Sequence, residues 1–233
     1  MTRTLTVLSA AIVLAACSPD APPAGPTPDT SGGFDAQAWL AEAREVAVGA
    51  EGADLDDPGT DRMKTLAGEL NAAADWRRAC DTYPDYDTGE MTYDPVPPGE
   101  GHWIRGTMEI EDVSDTEAVV AITCDFGAYQ GSYALVHIDG ATARVLTAPE
   151  FTASGRPDGP RTGTFSTPFL GEASEGTIST FARARGLGDC GLYITYALGD
   201  DLTVREVRER DCDSDVPDPL PPPDEWPVVY AAD

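Results

Sequence analysis

The chain has 233 residues, and its 41 Asp and Glu against 15 Lys and Arg give a formal net charge of −26 at pH 7. So acidic a surface repels phosphates, which excludes nucleic acid as a partner; it keeps the protein soluble and offers long-range attraction only to cations. Lys64 is the sole lysine, and with a hydrophobic content of 41% the chain is rich enough to build a core.

Chain order begins with an export pattern. Arg3 and the amino terminus form a positive start, Leu5 to Leu14 is an apolar run, and Ala15-Ala16 supplies the small residues a signal peptidase requires. The run is shorter than the roughly 20 residues that span a bilayer. Leu14-Ala15-Ala16-Cys17 resembles the lipobox of bacterial lipoproteins. That resemblance implies a signal peptide over 1–16, lipid on Cys17 and a membrane as the first partner, since several acyl chains anchor a protein stably. Ser18, rather than Asp, stands next; by the same resemblance this implies the outer membrane, facing the periplasm, in a Gram-negative host. Residues 17–33 carry prolines at 19, 22, 23, 26 and 28 and no large apolar side chain. Such a segment cannot order itself by burial and reads as a tether of about 50 Å if extended as polyproline II.

Residues 34–233 read as a single globular domain. Phe34 to Val48 has helical spacing of Trp39, Leu40, Ala43 and Val46, with Gly49 as a stop. Asp61 to about Arg78 forms a second helix with Met63, Leu66, Leu70 and Ala74 on one face. Beyond Cys80 the pattern becomes that of strands: Trp103–Ile110, Ala118–Cys124, Ser132–Ile138, Ala143–Leu146, Gly163–Phe169, Thr177–Ala182, and then Leu192–Leu198 and Leu202–Val207 about the turn Gly199-Asp200-Asp201. Asp139-Gly140 is a short hairpin signal. The expected fold is therefore α+β and β-dominated: two amino-terminal helices followed by an antiparallel sheet or sandwich with disulfides.

With Cys17 given to lipid, four cysteines remain in an oxidising compartment. Folding the last hairpin about Asp201 sets Cys190 opposite Cys212, within reach of a disulfide, and elimination pairs Cys80 with Cys124. No Cys-x-x-Cys occurs and neither His102 nor His137 has ligand spacing to a neighbour, so no metal site is expected.

Gly186-Leu187-Gly188-Asp189-Cys190-Gly191 fits the letters of a dinucleotide loop, but a strand follows where that loop needs a helix. It reads instead as a tight turn with glycines at positive φ, whose Asp189 bonds backbone amides and faces Arg185; no nucleotide or other cofactor is expected. Asp54, Asp56, Asp57, Gly59 and Asp61 sketch a calcium loop, yet Pro58 and Thr65 fall at ligand positions. Asp85, Asp87, Gly89 and Glu90 are equally incomplete. No serine elbow or Ser/His/Asp set occurs, His137 reads as structural and His102 as a surface residue, so no catalytic residue is nominated.

Cys124-Asp-Phe-Gly-Ala-Tyr-Gln-Gly-Ser-Tyr133, Arg185-Gly-Leu-Gly-Asp-Cys-Gly191, Cys212 and Trp226-Pro227 together resemble the DUF1176 family of exported bacterial proteins of unknown function. The likeness runs from about Ala118 to Tyr230, agrees with the Cys190–Cys212 bridge and implies no mechanism. The expected role is a lipid-anchored envelope protein, non-enzymatic, that binds a protein or glycan or acts structurally, with Tyr129, Tyr133, Arg185 and Asp189 as its candidate surface. Inhibition of a cationic lysozyme-like enzyme and an uncharacterised envelope hydrolase are the alternatives.

Overall fold

The computed structural model describes residues 33–49, 58–84, 91–94, 108–126, 130–151, 157, 159–212 and 219–232. The expected signal peptide, Cys17, all but the last residue of the expected tether, Tyr129, His102 and most of both acidic loops lie outside the described residues. Helix α1 spans Ala36–Gly49 and opens on Asp35, whose Oδ1 accepts from Ala38 N at 3.0 Å. It buries Trp39, Leu40 and Ala43. Helix α2, Pro58–Ala74, starts on proline, which lacks the N–H a first turn leaves unpaired.

The second helix does not run on to Arg78 as the periodicity predicts. It stops at Asp75, which is left-handed at φ 52°, and a separate helix α3 covers Trp76–Cys80, so there are three helices among the described residues rather than two. Aspartate tolerates that conformation. Asn71 stabilises the break: its Oδ1 accepts from Arg77 N at 2.9 Å while its carbonyl accepts from Asp75 N. The redirected chain swings Trp76 into the core, where its indole donates to Ala67 O at 2.9 Å.

The strands follow as β1 (Thr82–Pro84), β2 (Met91–Tyr93), β3 (Met108–Asp112), β4 (Glu117–Phe126), β5 (Gly131–Asp139), β6 (Thr142–Val145), β7 (Ala148–Pro149), β8 (Arg161–Thr162), β9 (Thr164–Phe165), β10 (Thr167–Phe169), β11 (Thr177–Arg183), β12 (Gly191–Ala197), β13 (Thr203–Arg210) and β14 (Val228–Ala231). One antiparallel sheet has the order β3-β4-β5-β6, with β9 also on β5; the other has β10-β11-β12-β13-β14. β1-β2 and β7-β8 are separate ribbons, and these four short strands and β14 are not visible as periodic segments in the sequence. The start of the segment expected at Trp103 lies outside the described residues; its described part is β3.

β4 sets the layers. Ala118, Val120, Ile122 and Cys124 pack with Trp39, Leu40, Leu66, Leu70 and Trp76 in one core. Val119 and Ala121 pack with Ile178, Ile194, Tyr196, Val204 and Val207 in a second. The first sheet is thus sandwiched between the helices and the second sheet, and a strand buried on both faces reads as the unbroken apolar run Ala118–Ile122.

Gly163–Phe169, expected as one strand, is split between the sheets: β9 joins β5 and β10 joins β11, with Ser166 at the crossing. Phe165 enters the second core edge-on to Tyr196, with centroids 6.0 Å apart. Pro168 cannot donate to a ladder and so confines β10 to the sheet edge. The β5–β6 hairpin is also shifted by one residue from the expected Asp-Gly turn, because Asp139 pairs with Thr142 and leaves Gly140-Ala141 as the loop. Gly140 takes φ 58° at its first position, as a two-residue loop with leading glycine requires.

Both disulfides form as expected. Cys80–Cys124 has Cα atoms 5.3 Å apart and fastens α3 to β4, and Cys190–Cys212 has them 5.0 Å apart at the open end of the β12–β13 hairpin. The register there places Gly191 opposite Arg210, so the bridge sits one residue off the strict pairing.

Candidate binding turn at the end of the second sheet

The β11–β12 connection is the Arg-Gly-Leu-Gly-Asp-Cys-Gly run. Ala184 N donates to Cys190 O at 3.1 Å and Gly188 N to Arg185 O at 3.0 Å, which closes the neck of the turn. Across that neck Arg185 grips Asp189 as a fork, Nε to Oδ1 at 2.8 Å and Nη2 to Oδ2 at 2.5 Å. The guanidinium holds the buried Asp189 carboxyl below its ordinary range. Of the three glycines expected at positive φ, two adopt it: Gly188 at 69° and Gly191 at 141°. A Cβ on Gly191 would stand 2.1 Å from Ala182 O, so no other residue fits there.

The sequence-nominated residues divide accordingly. Arg185 and Asp189 are brought together, but on each other. Tyr133 is half-buried in β5, its ring against Gly131, and burial followed by the nearby Glu109 raises its hydroxyl pKa. It is a packing residue more than a surface one. Leu187, at the tip, is 80% exposed, the largest exposure of any large apolar side chain among the described residues; a lone leucine in a glycine-rich run carries no sequence signal that would single it out.

Other parts of the quoted motif converge on the same end. Gln130 Oε1 accepts from Arg183 N at 2.7 Å, tying the head of β5 to the tail of β11. Arg183 lies 5.7 Å over the ring of Phe181, and Phe181 meets the buried Trp226 edge-to-face at 5.5 Å. Trp226 is fixed by its indole on Pro221 O at 3.1 Å and by Arg208 Nη1 on its carbonyl at 2.8 Å. A hollow of about 370 Å³ beside the Cys190–Cys212 bridge is lined in part by Arg183, Glu209 and Arg210.

A second concavity, of about 240 Å³, opens between the sheets and is lined by Glu150, Phe165, Ser166, Thr180, Ile194 and Tyr196 among others. Burial raises the Glu150 carboxyl and pushes the Tyr196 hydroxyl up to about 12. The lining comes from five strands, β7, β8, β9, β11 and β12, and from Glu150, Phe151 and Ser166 between strands, with no shared spacing by which the sequence could group them. His137 is buried on β5, and no group of three or more His, Cys, Asp or Glu able to hold a metal ion occurs among the described residues.

No curated protein and no solved structure matches the chain. A family model described as a protein of unknown function (DUF1176) matches residues 100–233, over half of the sequence, and spans the Arg185–Asp189 turn, the Cys190–Cys212 bridge and Trp226. The chain belongs to the DUF1176 family.

Proposed function

We propose that this is an envelope protein held to a membrane by lipid on Cys17, and that its folded unit is a non-enzymatic binding module whose contact is the Arg185–Asp189 turn. The observation that carries the reading is Leu187, 80% exposed on a turn clamped by an ion pair and closed beside a disulfide. An apolar side chain presented on a rigid support keeps little conformational freedom to lose and serves as an anchor for a partner's pocket. Both carboxylate oxygens of Asp189 are occupied by Arg185 and its pKa is low, which suits it to holding the turn and not to proton transfer.

The anchor is tested by metabolic labelling with an alkyne palmitate. Label on the wild type and none on Cys17→Ser supports it, whereas equal labelling sinks it. The binding face is tested by capture from envelope extract with the wild type and with Leu187→Asp, at low and high salt. Specific capture lost in Leu187→Asp supports the turn. Capture indifferent to Leu187 but abolished by salt would instead favour the inhibitor reading, in which the acidic surface meets a cationic enzyme.

A further inference from the structure

The cleft between the sheets differs in chemistry from the turn. Its apolar wall is Phe165, Ile194 and Tyr196, and no Lys or Arg lines it among the described residues. Its hydroxyls are largely committed within the fold. Thr164 Oγ1 donates to Ala79 O at 2.6 Å, Ser166 Oγ accepts from Gln130 Nε2 at 3.5 Å, and the Tyr196 hydroxyl bonds Thr180. Arg161, which precedes lining residue Thr162, is engaged by Thr147 and Asp201, with its Nη2 3.0 Å from Asp201 Oδ2.

Glu150 is what remains. Its carboxylate has no side-chain hydrogen bond or ion pair among the described residues, while its backbone is pinned by Glu150 N to Pro160 O at 2.9 Å and by Gly159 N to Glu150 O at 3.0 Å. A carboxylate that lines an aromatic-walled cleft with no cation among the described lining residues is the chemistry that recognises an ammonium group. We propose that this cleft binds a small organic cation, its ammonium on Glu150 and its apolar body against Phe165, Ile194 and Tyr196. Burial alone raises the Glu150 pKa, a shift that an incoming cation would reverse. The net charge of −26 concentrates such cations around the molecule. A polyol is disfavoured because the hydroxyls that would recognise it are already bonded, and an anion because Glu150 repels it.

Three probes of one shape separate these cases: benzylamine, benzyl alcohol and benzoate, titrated to about 20 mM against the full chain in nonionic detergent and followed by amide chemical shifts. A ligand of about eight heavy atoms is expected to bind on the order of 1 mM. Benzylamine should saturate, shifting the amides of Phe165, Ile194 and Tyr196. Benzyl alcohol should bind about ten-fold more weakly and benzoate not at all. Glu150→Gln, isosteric and only partly buried, should bring amine and alcohol to equal affinity while leaving the apo spectrum folded. Equal binding of amine and alcohol to the wild type, retention of the amine preference in Glu150→Gln, or no saturable shift with any probe would each overturn the proposal.

Discussion

Arg185 and Asp189 close on each other across the neck of the β11–β12 turn, Nε to Oδ1 at 2.8 Å and Nη2 to Oδ2 at 2.5 Å, while Leu187 between them points into solvent. The pair converts a glycine-rich segment, costly to order, into a fixed support. Its stability contribution follows the ionisation of Asp189, whose folded pKa is depressed. The stabilisation is therefore present above the ordinary aspartate pKa of about 3.9 and lost as pH falls through the lower folded value.

Asp189→Asn is accordingly expected to lower the melting temperature at neutral pH, and the gap to the wild type should shrink as pH falls below about 4. Thermal melts of both proteins from neutral to acid pH check this. A gap independent of pH would show that the ion pair contributes nothing.

His137 predicts the opposite half of the pH profile. It is buried on β5 opposite Val119 of β4, and its pKa is lowered first by desolvation and then by Arg144, against the pull of Glu117, Asp139 and Asp200. The unfolded chain takes up a proton near pH 6.5 that the folded chain resists, so this contribution is whole above that pH and falls below it. His137→Leu should flatten the stability loss between about pH 7 and 5. Denaturant midpoints of the two proteins at both pH values decide it, an unchanged slope being the contrary result.

The two bridges should differ in weight. Their sequence separations are 44 for Cys80–Cys124 and 22 for Cys190–Cys212, and loop-closure entropy assigns about 4 and about 3 kcal/mol respectively. Double serine variants measured by urea unfolding should follow that order. The Cys190–Cys212 variant should in addition loosen the Leu187 turn, seen as faster amide exchange at Gly188 and Asp189.

Gly191→Ala tests the close approach directly. With φ 141° and a would-be Cβ 2.1 Å from Ala182 O, alanine forces β11 and β12 apart. A loss of at least about 2 kcal/mol is expected by chemical denaturation. Gly68→Ala, where a Cβ meets nothing within 4 Å inside α2, should be neutral or stabilising by up to about 1 kcal/mol.

Local chemistry alone determined a good deal of this protein. Periodicity placed the helices around Leu40 and Leu66 and the strands on β4, β5, β11, β12 and β13; hairpin arithmetic set Cys190 against Cys212; and the motif run around Asp189 named the family and the turn. Each of these rests on neighbours within about one element, where the side-chain period and the turn residues decide the outcome. Tertiary packing decided the rest. Asp75 breaks a helix because Trp76 has a core to enter, Gly163–Phe169 divides between two sheets because Phe165 has Tyr196 to meet, and Glu150 stands in a cleft whose walls come from β7, β8, β9, β11 and β12. β14 forms only because β13 offers an edge to pair with. Those outcomes depend on contacts between segments far apart in the chain, whose energies outweigh local propensity and leave no trace in its spacing.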